Sequence, residues 1–276
     1  MSEQHEVRVE LFDASFYIPQ LDRSRRIWVC LPEDYSASER KYPVIYMHDG
    51  QNLFDNATAA GQEWSLDETL ADIHGQCIII GIDNGEEKRS TEYNFRDSEE
   101  FGAGEGRKYI EFIALTLKPV VDERLRTLPD REHTFIAGSS LGGLISFYGA
   151  IYFADTFGGA GIFSPSFWLV PDIVAEIRPV IEKNAGYQQH FYFYGARQED
   201  EKLLSFIEEI AAFLAQYPQY RVFLDLHEEG EHSEGYWGLR FADYYRWLEI
   251  NWNSIYLKDI DLKDIQPTEK KLPETI

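Results

Sequence analysis

The stretch Thr-Phe-Ile-Ala-Gly-Ser-Ser-Leu-Gly-Gly, residues 134–143, decides the fold of this chain. Apolar residues of strand type lead into it, and apolar residues at helical spacing follow it over 144–148. A Gly138-x-Ser140-x-Gly142 pattern lies where the strand gives way to the helix. Glycine on either side leaves room for a serine held on a sharp, strained turn, so its hydroxyl is exposed above the sheet edge. The stretch predicts an α/β fold with Ser140 as a nucleophile.

Strand-like and helix-like segments alternate on both sides of this turn. Strands are predicted at 42–48, 76–82, 133–137, 157–163, 190–194 and 221–227. Helices are predicted at 65–73, 109–121, 141–153, 171–182, 200–215 and 235–251. This alternation predicts a mostly parallel sheet with helices on both faces. Alternating apolar residues over 6–19 and 25–31 add an antiparallel hairpin at one edge.

The segments between these elements carry two further predictions. Ser65 followed by Glu68 predicts a capping box at the start of a helix. Residues 83–107 are polar and glycine-containing, and we expect a long functional or mobile loop there. No linker or repeat divides the chain, so we expect one domain over 1–276, with a polar C-terminal extension from about residue 252. No long insertion follows the strand at 157–163, which predicts little or no cap domain.

Composition limits the classes of partner. The chain has 276 residues and a formal net charge of −22, which disfavours nucleic acid and anionic membranes as partners. Cys30 and Cys77 lie in apolar strand-like runs without metal-binding spacing, so we expect buried, reduced thiols. The N-terminus has no signal-peptide pattern, and no apolar run approaches membrane-spanning length. These features predict a cytoplasmic protein, and they leave open whether it forms a homo-oligomer.

A serine nucleophile needs a base to take its proton and a third group to orient that base. In open α/β sheets the reacting groups gather at the carboxyl ends of the strands. His232 lies in a loop between the last predicted strand and the last predicted helix, where a base could reach Ser140. His227 closes that last strand, and we interpret it as structural. The run from His227 to His232 lacks the spacing of a zinc-binding helix.

The acid is expected after the preceding strand, where Glu199, Asp200 and Glu201 follow one another. We favour Glu199, with Asp200 as a close alternative. The order Ser140, Glu199, His232 is then that of the α/β-hydrolase fold. The developing oxyanion needs two backbone N–H donors. We assign these to Leu141, at the start of the helix after the nucleophile, and to Gln51 or its neighbour, where Gly50 permits a close approach of the backbone.

Several segments together resemble the family called "putative esterase" among the α/β-hydrolases, which includes esterase D-like, ferric enterochelin and feruloyl esterases. The resemblance covers about residues 5–250. It rests on His48-Asp-Gly-Gln-Asn-Leu-Phe54, Gly81-Ile-Asp-Asn84, Ala137-Gly-Ser-Ser-Leu-Gly-Gly143, Phe163-Ser-Pro-Ser-Phe-Trp168 and Gly230-x-His232-x4-Trp237. It implies serine esterase chemistry with Ser140 as nucleophile and His232 as base. Family members often carry an acid three residues after a glycine, whereas Gln198 occupies that position after Gly195 here.

These residues predict hydrolysis of a small ester through an acyl-enzyme on Ser140, with no metal or other cofactor. The ester could be an acylated sugar, an aryl ester or another small ester. Trp168, Trp237 and Arg96 are candidate substrate-binding residues, and Arg89 is a second cation in the same long loop. An acyltransferase or peptidase with the same triad, and a non-catalytic α/β-hydrolase-like binding protein, remain the alternatives.

Overall fold

A computed structural model describes residues 6–253 of the chain. Within this part, one sheet of 8 strands has the order β1-β2-β4-β3-β5-β6-β7-β8. The strands are β1 (Arg8–Ile18), β2 (Arg23–Leu31), β3 (Val44–His48), β4 (Ile78–Ile82), β5 (Thr134–Ser139), β6 (Gly159–Phe163), β7 (Gln189–Ala196) and β8 (Tyr220–His227). β1 and β2 form the predicted antiparallel hairpin, and β2 pairs antiparallel with β4. From β4 to β8 every neighbouring pair is parallel.

Helices cover both faces of this sheet. They are α1 (Leu66–Asp72), α2 (Arg89–Glu92), α3 (Gly106–Phe112), α4 (Lys118–Arg124), α5 (Leu141–Tyr152), α6 (Ile173–Lys183), α7 (Leu203–Leu214) and α8 (Glu234–Asn253). α1 and α8 contribute to the apolar cluster on one face, and α3 to α7 lie on the other. The two clusters follow from strand geometry: Tyr46 of β3 belongs to one and its neighbour Met47 to the other, because successive side chains of a strand point to opposite faces.

The predicted fold class is confirmed, because a hairpin followed by a parallel, helix-covered sheet is the architecture of the α/β-hydrolase fold. β5 lies inside the sheet, between β3 and β6, so the turn at its carboxyl end faces the loops that follow β3 and β6. Parallel strands bring these ends to the same edge. The topology thus collects residues from distant parts of the chain around Ser140.

Three local predictions need correction. Ser65 precedes α1 with φ 53° and makes no side-chain capping bond, so the capping-box prediction is wrong; a left-handed residue does not aim its side chain at the first turn. Residues 83–107 are not simply a polar loop, because they contain α2 and a fully buried Tyr93. The predicted helix at 109–121 is part of a longer run, in which a π-helical segment (Ile113–Leu117) joins α3 to α4.

The polar extension predicted from residue 252 lies outside the described residues, apart from the last two residues of α8. Both cysteines are buried and free, as expected. Burial raises the pKa of the Cys30 thiol far above its ordinary value, so it stays protonated. Among residues 6–253, no helix is both long and apolar enough to cross a membrane.

Candidate active site

Ser140 occupies a strained turn between β5 and α5. Its backbone has φ 57° and ψ −119°, a conformation that costs a non-glycine residue on the order of 1–3 kcal/mol. The Ser140 N–H donates to Phe163 O at 2.9 Å, and its carbonyl accepts from the Ser166 N–H at 3.1 Å. These bonds hold the turn against the end of β6. A Cβ added at Gly138 would lie 3.0 Å from the Gly142 carbonyl carbon, so the glycines do make room for the turn.

The Ser140 hydroxyl faces Ser166. The two Oγ atoms lie 3.3 Å apart, and either hydroxyl can donate. Among the described residues, no hydrogen bond joins the Ser140 hydroxyl to His232. A serine–base bond is often long or poorly aligned before substrate binds and tightens in the complex. The arrangement is therefore compatible with a nucleophile that awaits its substrate.

His232 and Glu199 are hydrogen-bonded partners. His232 Nδ1 lies 2.9 Å from Glu199 Oε2; the carboxyl side chain is 1% exposed and the imidazole side chain 46% exposed. Glu199 Oε1 accepts from the Ala196 N–H and from the Ser164 hydroxyl, both at 2.9 Å. The Glu199 carboxylate is thus buried and held by three hydrogen-bond partners, while the imidazole is partly exposed.

The other carboxylates proposed for the acid lie elsewhere. Asp200 is exposed, and its Oδ1 accepts from the Lys202 N–H at 2.7 Å, which ties it to the approach to α7. Glu201 is also exposed. Of the three candidates, Glu199 is the one that the structure brings to His232.

Two backbone segments converge on the turn as candidate oxyanion donors. Leu141 is the first residue of α5, and the first N–H groups of a helix have no intrahelical acceptor. Gln51 lies in the short 3₁₀ helix Gly50–Asn52 directly after β3. A Cβ at Gly50 would lie 2.7 Å from Gly81 C and from Ile82 N, so only glycine lets this segment pack against β4. We call residues 49–52 the oxyanion loop.

Asp49 anchors the oxyanion loop. Its backbone is left-handed at φ 56°, and its carboxylate accepts a bidentate pair of bonds from Arg89, Nε to Oδ1 at 2.7 Å and Nη2 to Oδ2 at 2.9 Å. Asn84 Nδ2 adds a third bond to Oδ1 at 2.6 Å. Burial by itself raises the pKa of Asp49, but the Arg89 guanidinium and the Asn84 amide lower it below its ordinary value overall. The carboxylate is therefore ionised, and its ion pair links α2 to the loop.

His48, the last residue of β3, lies beneath the nucleophile turn. Its side chain approaches Gly138 and Gly142, and its Nδ1 lies 2.9 Å from the Tyr109 hydroxyl. The imidazole is 1% exposed, and its Nε2 has no hydrogen-bond partner among the described residues. Burial lowers the pKa of His48 to about 3, so it is neutral at ordinary pH. It packs against the turn, and its low pKa makes it a poor candidate for a general base.

The three candidate substrate-binding residues lie in different settings. Trp168 is 59% exposed, two residues beyond the Ser166 hydroxyl that faces Ser140. Trp237 is buried, with its indole ring edge-to-face against the His232 imidazole at a centroid distance of 4.9 Å. Arg96 is engaged by two carboxylates of the α6 region: Nε donates to Glu176 at 2.7 Å, and Nη1 contacts Asp172. Since Arg89 is paired with Asp49, neither arginine offers the unpaired cation that the sequence suggested.

The sequence analysis missed the polar residues that hold the site together. Ser164 and Ser166 follow β6, and Asp49 and Asn84 follow β3 and β4. All four belong to segments quoted for the family resemblance, so polar residues at strand ends were the available signal. Their roles depend on contacts across the sheet edge, such as Ser164 with Glu199, which no local pattern encodes.

The histidines and carboxylates near the site do not form a metal centre. His227 Nε2 lies 2.7 Å from Asp225 Oδ1, away from the bond between His232 and Glu199. Across the part of the chain that the structure describes, no group of three or more histidine, cysteine or acidic side chains is arranged to hold a metal ion.

The chain is similar to known proteins in sequence and in fold. The family model described as "Putative esterase" matches residues 18–248. "Uncharacterized protein YbbA" of Bacillus subtilis (strain 168) is 25% identical over 243 residues, covering 82% of this chain and 92% of that protein. "Iron(III) salmochelin esterase" of Escherichia coli O6:H1 is 31% identical over 156 residues, 54% of this chain and 34% of that protein. The crystal structure of the BES protein from Bacillus cereus has a TM-score of 0.70 at 19% identity, covering 90% of this chain and 98% of that one.

Proposed function

The chain belongs to the "Putative esterase" family and is an esterase, and on that premise we propose that it hydrolyses small carboxylic esters through an acyl-enzyme on Ser140. Ser140 is the nucleophile, His232 the base and Glu199 the acid that orients it. The observation that carries this proposal is the 2.9 Å bond between His232 Nδ1 and the buried Glu199 carboxylate, in the loops that neighbour the strained serine. We further propose that the chain forms one catalytic domain.

The proposed reaction has two steps. His232 Nε2 takes the hydroxyl proton as Ser140 Oγ attacks the ester carbonyl, and the Leu141 and Gln51 N–H groups stabilise the resulting oxyanion. The protonated imidazole then gives its proton to the leaving alcohol as the ester C–O bond breaks. Water, deprotonated by His232, attacks the acyl-enzyme in the same way, and Ser140 leaves with the returned proton. The Glu199 carboxylate stabilises the imidazolium in both steps.

The setting of Trp168 supports an ester with a flat or sugar ring. An exposed indole near the nucleophile offers a face on which an aryl group or a sugar can stack. Because both candidate arginines are paired with carboxylates, a neutral substrate group fits this cleft better than a strongly anionic one. A relative is named as an iron(III) salmochelin esterase, which adds esters of that kind as one class to test. We propose ring-bearing small esters, among them aryl and acyl-sugar esters.

The test is hydrolysis of p-nitrophenyl acetate and butyrate by the wild type and by Ser140→Ala. We expect the variant to lose at least about a thousandfold in kcat, because no other group replaces the nucleophile. A fluorophosphonate probe should label the wild type on the peptide that contains Ser140 and leave the variant unlabelled. Unchanged activity or unchanged labelling in Ser140→Ala would contradict the assignment.

The substrate class needs a separate panel. Acetyl, butyryl, feruloyl and acyl-sugar esters are compared for the wild type and for Trp168→Ala, with Leu239→Ala, another exposed apolar residue, as the control. We expect Trp168→Ala to raise KM several-fold for ring-bearing esters and to leave short aliphatic esters unaffected. Adding an acceptor alcohol or amine separates hydrolysis from acyl transfer, since a transferase would form the new ester or amide in preference to the free acid.

A further inference from the structure

Ser164 is a buried residue with an unusual backbone, and its role does not follow from the nucleophile, the base or the oxyanion donors. It is 1% exposed, directly after β6, with φ 43°. Its N–H donates to Tyr194 O at 2.8 Å, which continues the pairing of β6 with β7 for one residue. The left-handed turn at this point directs the hydroxyl towards the loop that carries Glu199.

A hydrogen-bond chain passes through this hydroxyl. Trp237 Nε1 lies 2.8 Å from Ser164 Oγ, and Ser164 Oγ lies 2.9 Å from Glu199 Oε1. An indole N–H can only donate, so Ser164 Oγ must accept from it. The Ser164 hydroxyl then donates its single proton in the hydrogen bond to Glu199 Oε1. The chain therefore runs in one direction, from the indole to the carboxylate.

This direction determines whether His232 or Glu199 carries the proton of the hydrogen bond between them. Glu199 Oε1 already accepts from the Ser164 hydroxyl and from the Ala196 N–H. Both of these groups donate to the same oxygen, and a carboxylate can only accept hydrogen bonds. His232 Nδ1 must therefore be the donor to Oε2, which leaves Nε2 as the unprotonated nitrogen that a general base requires.

Trp237 also contacts the base directly. Its ring lies edge-to-face with the His232 imidazole, with an interplanar angle of 85°. Trp237 comes five residues after His232. Its backbone N–H donates to Ser233 O at the start of α8. The first turn of α8 thus places the Trp237 indole in contact with the His232 imidazole. The same indole is linked to Glu199 through the Ser164 hydroxyl.

We propose that Ser164 and Trp237 are positioning residues that orient Glu199 and fix His232 in the Nδ1–H tautomer. This inference rests on the proposed function, since it assigns a role in the same triad. It makes Trp237 part of the base's support, in place of the substrate contact that the sequence suggested. It also explains why a tryptophan follows His232 at this distance.

The test uses Trp237→Phe, which keeps an aromatic ring and removes the N–H, and Ser164→Ala, which removes the hydroxyl. Trp247→Phe is the matched control. Trp247 is a buried tryptophan of the same helix, and it packs against His190 and Phe223 in the amino-terminal halves of β7 and β8. We measure kcat and KM separately with p-nitrophenyl butyrate. The ¹⁵N chemical shifts of His232 report its tautomer independently of activity.

We expect kcat to fall roughly tenfold in Trp237→Phe and roughly 10- to 100-fold in Ser164→Ala with KM nearly unchanged, because orientation of the base matters in the transition state. The double variant should lose about as much as Ser164→Ala alone, since both residues act through one chain. Trp247→Phe should show none of these changes.

The inference is overturned if Trp237→Phe and Ser164→Ala match Trp247→Phe in kcat, or if His232 in the wild type carries its proton on Nε2. Its failure is distinguishable from failure of the proposed function. If only the inference fails, Ser140→Ala still abolishes activity and fluorophosphonate labelling. If the proposed function fails, Ser140→Ala abolishes neither. The ¹⁵N measurement keeps the inference testable even where a variant is too slow to assay.

Discussion

Glu199 Oε2 and His232 Nδ1 lie 2.9 Å apart, and this contact pairs a side chain that is 1% exposed with one that is 46% exposed. The buried partner is fixed, so the exposed partner gains a defined orientation without losing access to substrate. Neighbouring Asp200 makes its bond to the Lys202 N–H instead. Substitutions at these two adjacent carboxylates should therefore differ sharply in effect.

Glu199→Gln should lower kcat by on the order of a thousandfold or more, because the amide cannot stabilise the imidazolium and can present an N–H to His232 Nδ1. Asp200→Asn should stay within about twofold of the wild type, since its side chain faces solvent. Steady-state hydrolysis of p-nitrophenyl butyrate measures both. If Asp200→Asn is the crippled variant, Glu199 is not the acid.

Gly50→Ala should impair catalysis by displacing the oxyanion loop. The added Cβ would lie 2.7 Å from backbone atoms of β4, which cannot move aside as a flexible side chain could. Gly61→Ala is the control, because a Cβ there meets nothing within 4 Å. We expect Gly50→Ala to lose about tenfold or more in kcat, up to the roughly 100- to 1,000-fold that removal of one oxyanion donor costs. Equal activity of the two variants would show that Gln51 is not a donor.

The ion pair between Asp49 and Arg89 should show strong coupling. Arg89→Gln leaves the Asp49 carboxylate buried without its guanidinium partner, and we expect a loss of about 3 kcal/mol in the free energy of unfolding. Adding Asp49→Asn removes the unpaired charge, so the double variant should be more stable than Arg89→Gln. Urea unfolding of the wild type, both single variants and the double variant completes the cycle. Simple additivity would contradict this account.

His48 should make the protein less stable in acid. Its pKa is about 3 in the folded chain, against about 6.5 when unfolded, so between these values only the unfolded state binds the proton. Stability from this group is therefore present above pH 6.5 and is lost as the pH falls, by up to about 1.4 kcal/mol per pH unit. His48→Asn should show a correspondingly shallower loss of unfolding free energy between pH 6 and 4. Parallel curves for the two proteins would rule out this contribution.

Asp67 should make the protein less stable as the pH rises. Burial, together with the neighbouring Glu68, raises the pKa of Asp67 to about 7, so the folded state holds a proton that the unfolded state releases above about pH 4. Stability from this group falls as the pH rises towards 7. Asp67→Asn should be more stable than the wild type at pH 8 by about 1 kcal/mol, after discounting for partial exposure. At pH 4 the difference should vanish, and urea unfolding at both pH values checks this.

The sequence by itself determined the features that depend on local pattern. The apolar runs placed the buried strands, and the glycines around Ser140 marked the turn, because a strained strand-to-helix junction tolerates few other residues. His232 could be placed at the same sheet edge as Ser140 because the parallel strands end at that edge. The choice among Glu199, Asp200 and Glu201 stayed open, because all three follow the same strand.

Only the tertiary structure decided which of these groups meet. Glu199 faces His232 because Ala196 and Ser164 hold its carboxylate from two different strand ends. Arg89 and Arg96 lie in a polar segment and are candidates for a local positive site from the sequence alone. In the structure each is paired with a carboxylate, about 40 to 80 residues distant in sequence. Contacts of this kind form when the sheet brings distant segments together, and a pattern confined to neighbouring residues cannot specify them.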